Sequence, residues 1–197
     1  MSLKKSIPPL TAILIALSVA VALISRLGAS QEVLDSLFIA DSHGGLVAIA
    51  SGQVWRLITP IFIHFGLMHI VFNMMWLWDL GKLVEVRRGT LFLAAFVMLD
   101  GSASNLAQYL LTGSPYFGGM SGVVYGLLGF VWMQGRYNPH FGYALTKPTV
   151  VMMLVWFALC WTGLLGPVAN WAHTVGLSIG AMWGFMSRGT PASADLL

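Results

Sequence analysis

Four polar side chains stand in otherwise apolar stretches of this chain, and their types are those used in nucleophilic catalysis. Ser121 carries a hydroxyl and His173 an imidazole, while His69 and Asn73 carry hydrogen-bond donors. Serine is a weak nucleophile until a neighbouring base takes its proton, and histidine is the commonest such base. Fixed donors then stabilise the oxyanion that forms when a carbonyl is attacked. These residue types would catalyse acyl transfer if the fold brought them together.

Ser121 follows a glycine-rich loop and opens an apolar segment. A nucleophile in the first turn of a helix gains from the positive end of the helix dipole, and the free N–H groups there would bind an oxyanion. Residues 118–122 read GGMSG, and Val123 stands where the soluble-hydrolase motif G-x-S-x-G has its second glycine. Because G-x-S-G alone is a weak signal, the interpretation depends on the elements that position the other three residues.

The composition indicates that those elements are membrane helices. Of the 197 residues, 57% are hydrophobic and 9% are charged, whereas about 25% are charged in soluble domains. Windows of about 20 apolar residues, the length that crosses a bilayer, predict six spans near residues 8–27, 57–80, 90–111, 117–135, 148–165 and 171–187. The connectors are short, so we expect an all-α membrane bundle forming one domain over residues 1–197, with no soluble accessory domain.

Lysine and arginine are distributed unevenly between the two sides of these spans. With the N-terminus in the cytoplasm, the cytoplasmic side holds Lys4, Lys5, Lys82, Arg87, Arg88, Arg136, Lys147 and Arg188, and the opposite side holds Arg26 and Arg56. This bias predicts that both termini are cytoplasmic. It also accounts for the net charge of +3, and no basic cluster indicates a nucleic-acid partner.

In this orientation, three spans bring polar groups into the outer part of the membrane, where such groups are costly and usually functional. The second span carries His64, His69 and Asn73, the fourth Ser121 and the sixth His173. His69 and Asn73, four residues apart, share one helix face. His64 and His69, five apart on a helix, would point about 140° apart, which is poor geometry for a shared metal ion. The sequence therefore does not predict a metal site.

Two rows of glycines indicate which helices are in contact. The rows are Gly122, Gly126 and Gly129 in the fourth span, and Gly176, Gly180 and Gly184 in the sixth. Small residues at such spacings allow membrane helices to approach closely. Packing one row against the other places Ser121 beside His173. The alternative is that the glycines only pack and the polar pair only links the two helices.

These residues resemble the rhomboid family of intramembrane serine proteases, and in particular the membrane core of its bacterial members. The resemblance runs from Trp55 onward. Its motifs are Trp55-Arg56, the run His64 to His69 followed by Asn73, Gly119-Met120-Ser121-Gly122, Tyr125, and Ala172-His173 followed by Gly176 and Gly180. By this resemblance Ser121 is the nucleophile and His173 the general base, in a dyad without a third acid.

The resemblance further implies an oxyanion hole made by Asn73, His69 and the backbone amide of Ser121. It places Tyr125 against the base, Gly119 near the site, and Trp55 and Arg56 in the first outer loop, with Glu85 as an acidic residue at the inner end of the second span. The activity implied by this resemblance needs no metal and no cofactor.

The implied activity is endopeptidase cleavage of single-pass membrane proteins at or near their transmembrane segments. The implied location is the bacterial inner membrane, with the active site opening to the periplasmic side. The expected partners are these substrates and membrane lipid, and the chain is expected to be a monomer or a weak homo-oligomer.

Asp100 departs from this family's pattern because it puts a carboxyl in the middle of the third span, where burial is costly. Either it is protonated or bonded to Ser102, Ser104 or another helix, or it tunes the site from a distance.

Two other classes of function stay open. An inactive rhomboid-like chaperone should lack Ser121 or His173, and a small transporter should carry polar residues through the full membrane depth.

Overall fold

The computed structural model describes residues 8–41 and 44–190, and every regular element in those ranges is helical. Lys4 and Lys5, which contribute to the predicted orientation, lie outside the described residues. The main helices are α1 (Pro9–Ile24), α4 (Leu67–Trp76), α5 (Lys82–Arg88), α6 (Thr90–Thr112), α7 (Ser121–Tyr137), α8 (Lys147–Trp161) and α9 (Asn170–Met186). Between α1 and α4 lie the short helices α2 (Gln31–Leu34) and α3 (Val47–Ala50) and two 3₁₀ turns, Val54–Leu57 and Thr59–Phe62.

The second predicted span differs most from the structure, because residues 57–66 are not part of its helix. Pro60 lies in a 3₁₀ turn, and Gly66, with φ of 94°, directly precedes α4. The helix then runs on through a π-helical turn, Leu77–Gly81, into α5 and ends before Gly89, whose φ is 90°. His64 therefore lies in the loop before the helix, and its predicted placement on the helix of the second span is wrong.

One helix in the described part of the chain, α6 with 23 residues, is long and apolar enough to cross a membrane by length and composition. The helices α1 and α8 are apolar but shorter. The fourth predicted span also starts later than expected, since α7 begins at Ser121 and not at residue 117.

Helix α7 is the centre of the bundle, because residues 122–131 are all buried. It packs along α9 through the two glycine rows. A Cβ on Gly180 would overlap the carbonyl oxygen of Gly126, and a Cβ on Gly176 would overlap that of Gly122. The two backbones are thus in direct contact, as the glycine spacing predicts, and this contact brings the first turns of α7 and α9 together.

The start of α1 is held by Glu85, a buried residue of α5. One carboxyl oxygen accepts hydrogen bonds from the Leu10 N–H at 2.9 Å and the Thr90 hydroxyl at 2.9 Å. The other accepts from the N–H and the hydroxyl of Thr11, at 2.8 and 2.7 Å. Since the first N–H groups of a helix have no partner within it, this carboxylate caps α1 and joins it to α5 and α6.

Replacing Glu85 with glutamine is expected to lower the free energy of unfolding by about 1.5–3 kcal/mol, the range for hydrogen bonds to charged groups. The new amide nitrogen cannot accept the donors that now point at one of the two oxygens. Detergent-denaturation curves of the purified protein would measure the change. Asp79→Asn removes the same charge from an exposed site and should leave stability unchanged; an equal loss in both variants would refute the capping role.

Candidate active site

Ser121 and His173 are in hydrogen-bond contact, with 2.7 Å between Ser121 Oγ and His173 Nε2. Ser121 is the first residue of α7, and His173 lies in the first turn of α9. The imidazole is 5% exposed, and its Nδ1 has no hydrogen-bond partner among the described residues. If the serine hydroxyl donates, Nε2 is the acceptor and the neutral ring carries its proton on Nδ1.

The loop before Ser121 reaches its position because Gly118 and Gly119 pack tightly against other residues of the same chain. Gly119 has φ of 126°, a conformation that L side chains rarely adopt, and a Cβ there would lie 2.7 Å from His69 Nε2. The same Cβ would lie 3.5 Å from Ser121 Oγ. His69 Nε2 and Ser121 Oγ therefore border one small space next to Gly119. A Cβ on Gly118 would be 2.9 Å from the Pro60 carbonyl oxygen, so the loop also packs on the second 3₁₀ turn.

His64 holds the loop before Ser121 through a hydrogen bond to its backbone. Its Nε2 accepts a hydrogen bond from the Met120 N–H at 3.4 Å, and its Nδ1 lies 3.1 Å from the Phe62 carbonyl oxygen. A neutral imidazole that accepts at Nε2 donates at Nδ1, so both contacts fit one tautomer. His64 is fully buried, and its ring centroid lies 5.0 Å from that of His69. The prediction that these two rings point far apart fails because His64 is not on the helix.

His69 and Asn73 both border the cavity that Ser121 borders, and each carries a hydrogen-bond donor. The Phe65 N–H donates to His69 Nδ1 at 3.2 Å, so the neutral His69 ring carries its proton on Nε2, the atom beside Gly119. Asn73 donates one amide hydrogen to the His69 carbonyl oxygen at 2.9 Å and keeps a second one. The first N–H groups of α7, that of Ser121 included, have no partner within the helix.

Two further residues hold the histidine end of the site. Gln108 of α6 caps α9, because its side-chain oxygen accepts from the N–H groups of Trp171 at 3.0 Å and Ala172 at 3.2 Å. Tyr125, one turn below Ser121, stacks obliquely on His173 with ring centroids 4.8 Å apart. Sequence reasoning missed Gln108, and its one signal was a polar amide in an apolar helix.

These groups line a cavity of about 1150 Å³. Ser121, His173, His69, Asn73 and Tyr125 all border it. Most of its remaining wall is apolar and includes Phe65, Met68, Phe72, Met152, Met153, Trp156 and Cys160. The arrangement combines a hydrogen-bonded serine and histidine, three groups that carry hydrogen-bond donors and a largely apolar cavity.

Trp55 and Arg56 do not line this cavity, and they hold the preceding segment in place. Arg56 is 6% exposed, and its Nη1 donates to the carbonyl oxygens of Asp35 at 2.6 Å and Phe38 at 2.8 Å. The Trp55 indole donates to the Ser36 carbonyl oxygen at 3.2 Å. Both side chains thus join the α2 region to the first 3₁₀ turn.

Asp100 is fully buried in α6, and neither carboxyl oxygen has a hydrogen-bond partner in the described ranges. The expected bond to Ser102 or Ser104 is not made, and the Ser104 hydroxyl is itself buried without a described partner. The carboxyl packs against Gly126, whose added Cβ would lie 2.5 Å from Asp100 Oδ2. The glycine row therefore also makes room for this side chain.

The fold and the site define an all-helical protein with a paired serine and histidine at the wall of an apolar cavity. The family model of the rhomboid domain matches residues 51–189. The chain belongs to the rhomboid family of integral membrane proteins.

Relatives in this family are 41% identical over 135 residues. They include the proteins named rhomboid protease GlpG of Salmonella paratyphi A, Salmonella newport and Salmonella typhi. The match covers 68% of this chain and 49% of each relative, so the chain spans about half the length of the curated relatives it matches.

Proposed function

We propose that the chain is a serine endopeptidase that cleaves transmembrane segments of membrane proteins within the membrane. The observation that carries this proposal is the 2.7 Å contact between Ser121 Oγ and His173 Nε2 at the wall of an apolar cavity. The relatives named as rhomboid proteases support the same reaction class. Ser121 serves as nucleophile and His173 as general base.

In the proposed mechanism, His173 Nε2 takes the hydroxyl proton of Ser121 while Oγ attacks the scissile carbonyl carbon. In this proposal the oxyanion is held by the Ser121 N–H, the His69 Nε2–H and the free Asn73 amide hydrogen, and His69 Nε2 is the one of these donors that lies beside Gly119. Collapse of this intermediate breaks the peptide bond, and His173 gives its proton to the leaving amine. Water then attacks the acyl ester with His173 again as base, which restores Ser121.

The substrate class follows from the cavity wall and from the chemistry of helices. Apolar side chains line most of the cavity, which suits a transmembrane segment better than a polar peptide. Carbonyl groups within a helix are already hydrogen-bonded and shielded. A substrate must therefore unwind locally before Ser121 reaches a scissile carbonyl, and single-pass membrane proteins are the proposed substrates.

The proposed topology has six spans in a single domain over residues 1–197, with both termini cytoplasmic and the active site toward the periplasmic side of the inner membrane. The uneven distribution of lysine and arginine supports it. Ser121 and His173 both lie in the first turns of their helices, which supports a site near one face of the bundle. We propose that the chain works as a monomer or a weak homo-oligomer in contact with lipid.

A serine-directed fluorophosphonate probe tests the reaction class. We expect labelling of the reconstituted protein, with complete loss in Ser121→Ala and in His173→Ala because both are needed to activate the nucleophile. His140→Ala changes an exposed histidine and should label normally. Ion or solute flux in liposomes without labelling would favour a transporter, and substrate binding without labelling would favour an inactive chaperone.

A further inference from the structure

A second cavity, of about 500 Å³, lies between the last turns of α7 and the first turns of α8. This α7–α8 cavity is lined by Trp132, Gly135, Arg136, Ala144, Leu145, Lys147, Val150, Val151 and Leu154. It shares no lining residue with the cavity around Ser121. The mechanism proposed above uses none of these side chains.

At the α7–α8 cavity, the loop before α8 packs closely on the end of α7. A Cβ on Gly135 would lie 2.8 Å from the Ala144 Cα, so the loop before α8 packs directly on α7. Arg87 holds this loop by donating to the Gly142 carbonyl oxygen at 3.2 Å, and Phe141 is fully buried beneath it. The end of α7 and the loop before α8 are therefore packed against each other at this cavity.

The α7–α8 cavity has two positively charged side chains and an apolar wall. Arg136 and Lys147 are its two cations, and no acidic residue is among the residues that line it. Neither cation makes a hydrogen bond or an ion pair within residues 8–41 and 44–190. Along the wall, Trp132, Val151 and Leu154 provide apolar surface. A ligand that fits has an anionic end and an apolar body.

We propose that the α7–α8 cavity binds an anionic phospholipid of the membrane. Its phosphate lies between Arg136 and Lys147, and one acyl chain lies along the apolar wall. Basic pockets between membrane helices on the cytoplasmic side are suited to such headgroups. The assignment to the inner leaflet rests on the proposed topology, in which Arg136 and Lys147 are cytoplasmic, whereas the binding site itself rests only on the cavity.

Phosphatidylglycerol titrated into the purified protein in a neutral detergent, with bound lipid detected by native mass spectrometry, tests the proposal without reference to proteolysis. The double variant Arg136→Gln/Lys147→Gln is expected to bind it roughly 30-fold more weakly, since each cation near a lipid headgroup contributes about 1 kcal/mol. The control Lys82→Gln/Arg188→Gln removes the same charge outside the cavity and should bind as the unchanged protein does. Equal weakening in the two double variants, or none in either, would overturn the site.

A wall variant distinguishes a lipid from a free anion. Val151→Trp keeps both cations but occupies the path of the acyl chain, so phosphatidylglycerol binding should weaken while phosphatidylcholine remains poorly bound throughout. Inorganic phosphate should compete only weakly. If inorganic phosphate displaces phosphatidylglycerol as well as another phospholipid does, or if Val151→Trp has no effect, the site takes a phosphate group alone and the lipid assignment is wrong.

Discussion

Replacing Ser121 with alanine is expected to abolish cleavage of a transmembrane substrate while the helix bundle stays folded. In the proposed mechanism the hydroxyl supplies the bond-forming atom. Its one described hydrogen bond is to His173, so its loss should leave the bundle folded. In a soluble serine protease, loss of the nucleophile or the base costs about 10⁶-fold in kcat. For Ser121→Ala we expect kcat to fall by at least about 10³-fold. A larger loss would lie below the detection limit of a liposome assay.

The double variant Ser121→Ala/His173→Ala should be no slower than either single variant, because the two residues act as one unit. Ser178→Ala removes a hydroxyl from an exposed position on α9 and serves as the matched control, with normal cleavage expected. Residual cleavage by Ser121→Ala at the rate of the unchanged protein would show that another group is the nucleophile.

Gly180→Ala is expected to destabilise the protein and to slow cleavage together. The added methyl group would overlap the Gly126 carbonyl oxygen, and because that atom belongs to a helix backbone it cannot rotate away. Overpacking of this kind typically costs about 1–3 kcal/mol, and we expect the upper end of that range. Moving α9 off α7 also separates His173 from Ser121, and a misplacement of about 1 Å costs roughly 100-fold in rate.

Detergent denaturation and single-turnover cleavage of the folded fraction measure the two effects separately. Gly189→Ala adds a methyl group where no heavy atom lies within 4 Å, so both quantities should stay unchanged. A Gly180→Ala protein with normal stability and normal cleavage would contradict the close contact between α7 and α9.

The Ser121–His173 contact was predictable because glycine spacing records which helix faces touch. Gly126 and Gly180 lie where the backbones of α7 and α9 touch, and a side chain at Gly180 would not fit. The spacing of the glycines can be read from each helix separately, before the contact between the helices is known. The family resemblance likewise depended on short motifs whose order along the chain is specific. The roles assigned to Ser121 and His173 remain proposals, whereas their proximity is a property of the structure.

The loop at residues 57–66 was not predictable from hydropathy, because its residues are as apolar as those of a membrane helix. Only Pro60 and Gly66 distinguish it, and neither excludes a helix that starts nearby. His64 was wrongly placed on the helix because residues 57–66 were predicted to be helical. The cap that Gln108 places on α9 is equally hidden, since its partners Trp171 and Ala172 are distant in sequence and no periodic pattern joins them.

Glu85 has a consequence for where this domain can be cut. The family match begins at residue 51, so α1 falls outside it, yet Leu10 and Thr11 of α1 supply three of the four donors that satisfy the Glu85 carboxylate. A fragment trimmed to the matched residues would lose those three donors and the part of α1 that packs on this carboxyl. We therefore expect a fragment that starts at residue 51 to be less stable than one that includes α1, although α1 lies outside the family match.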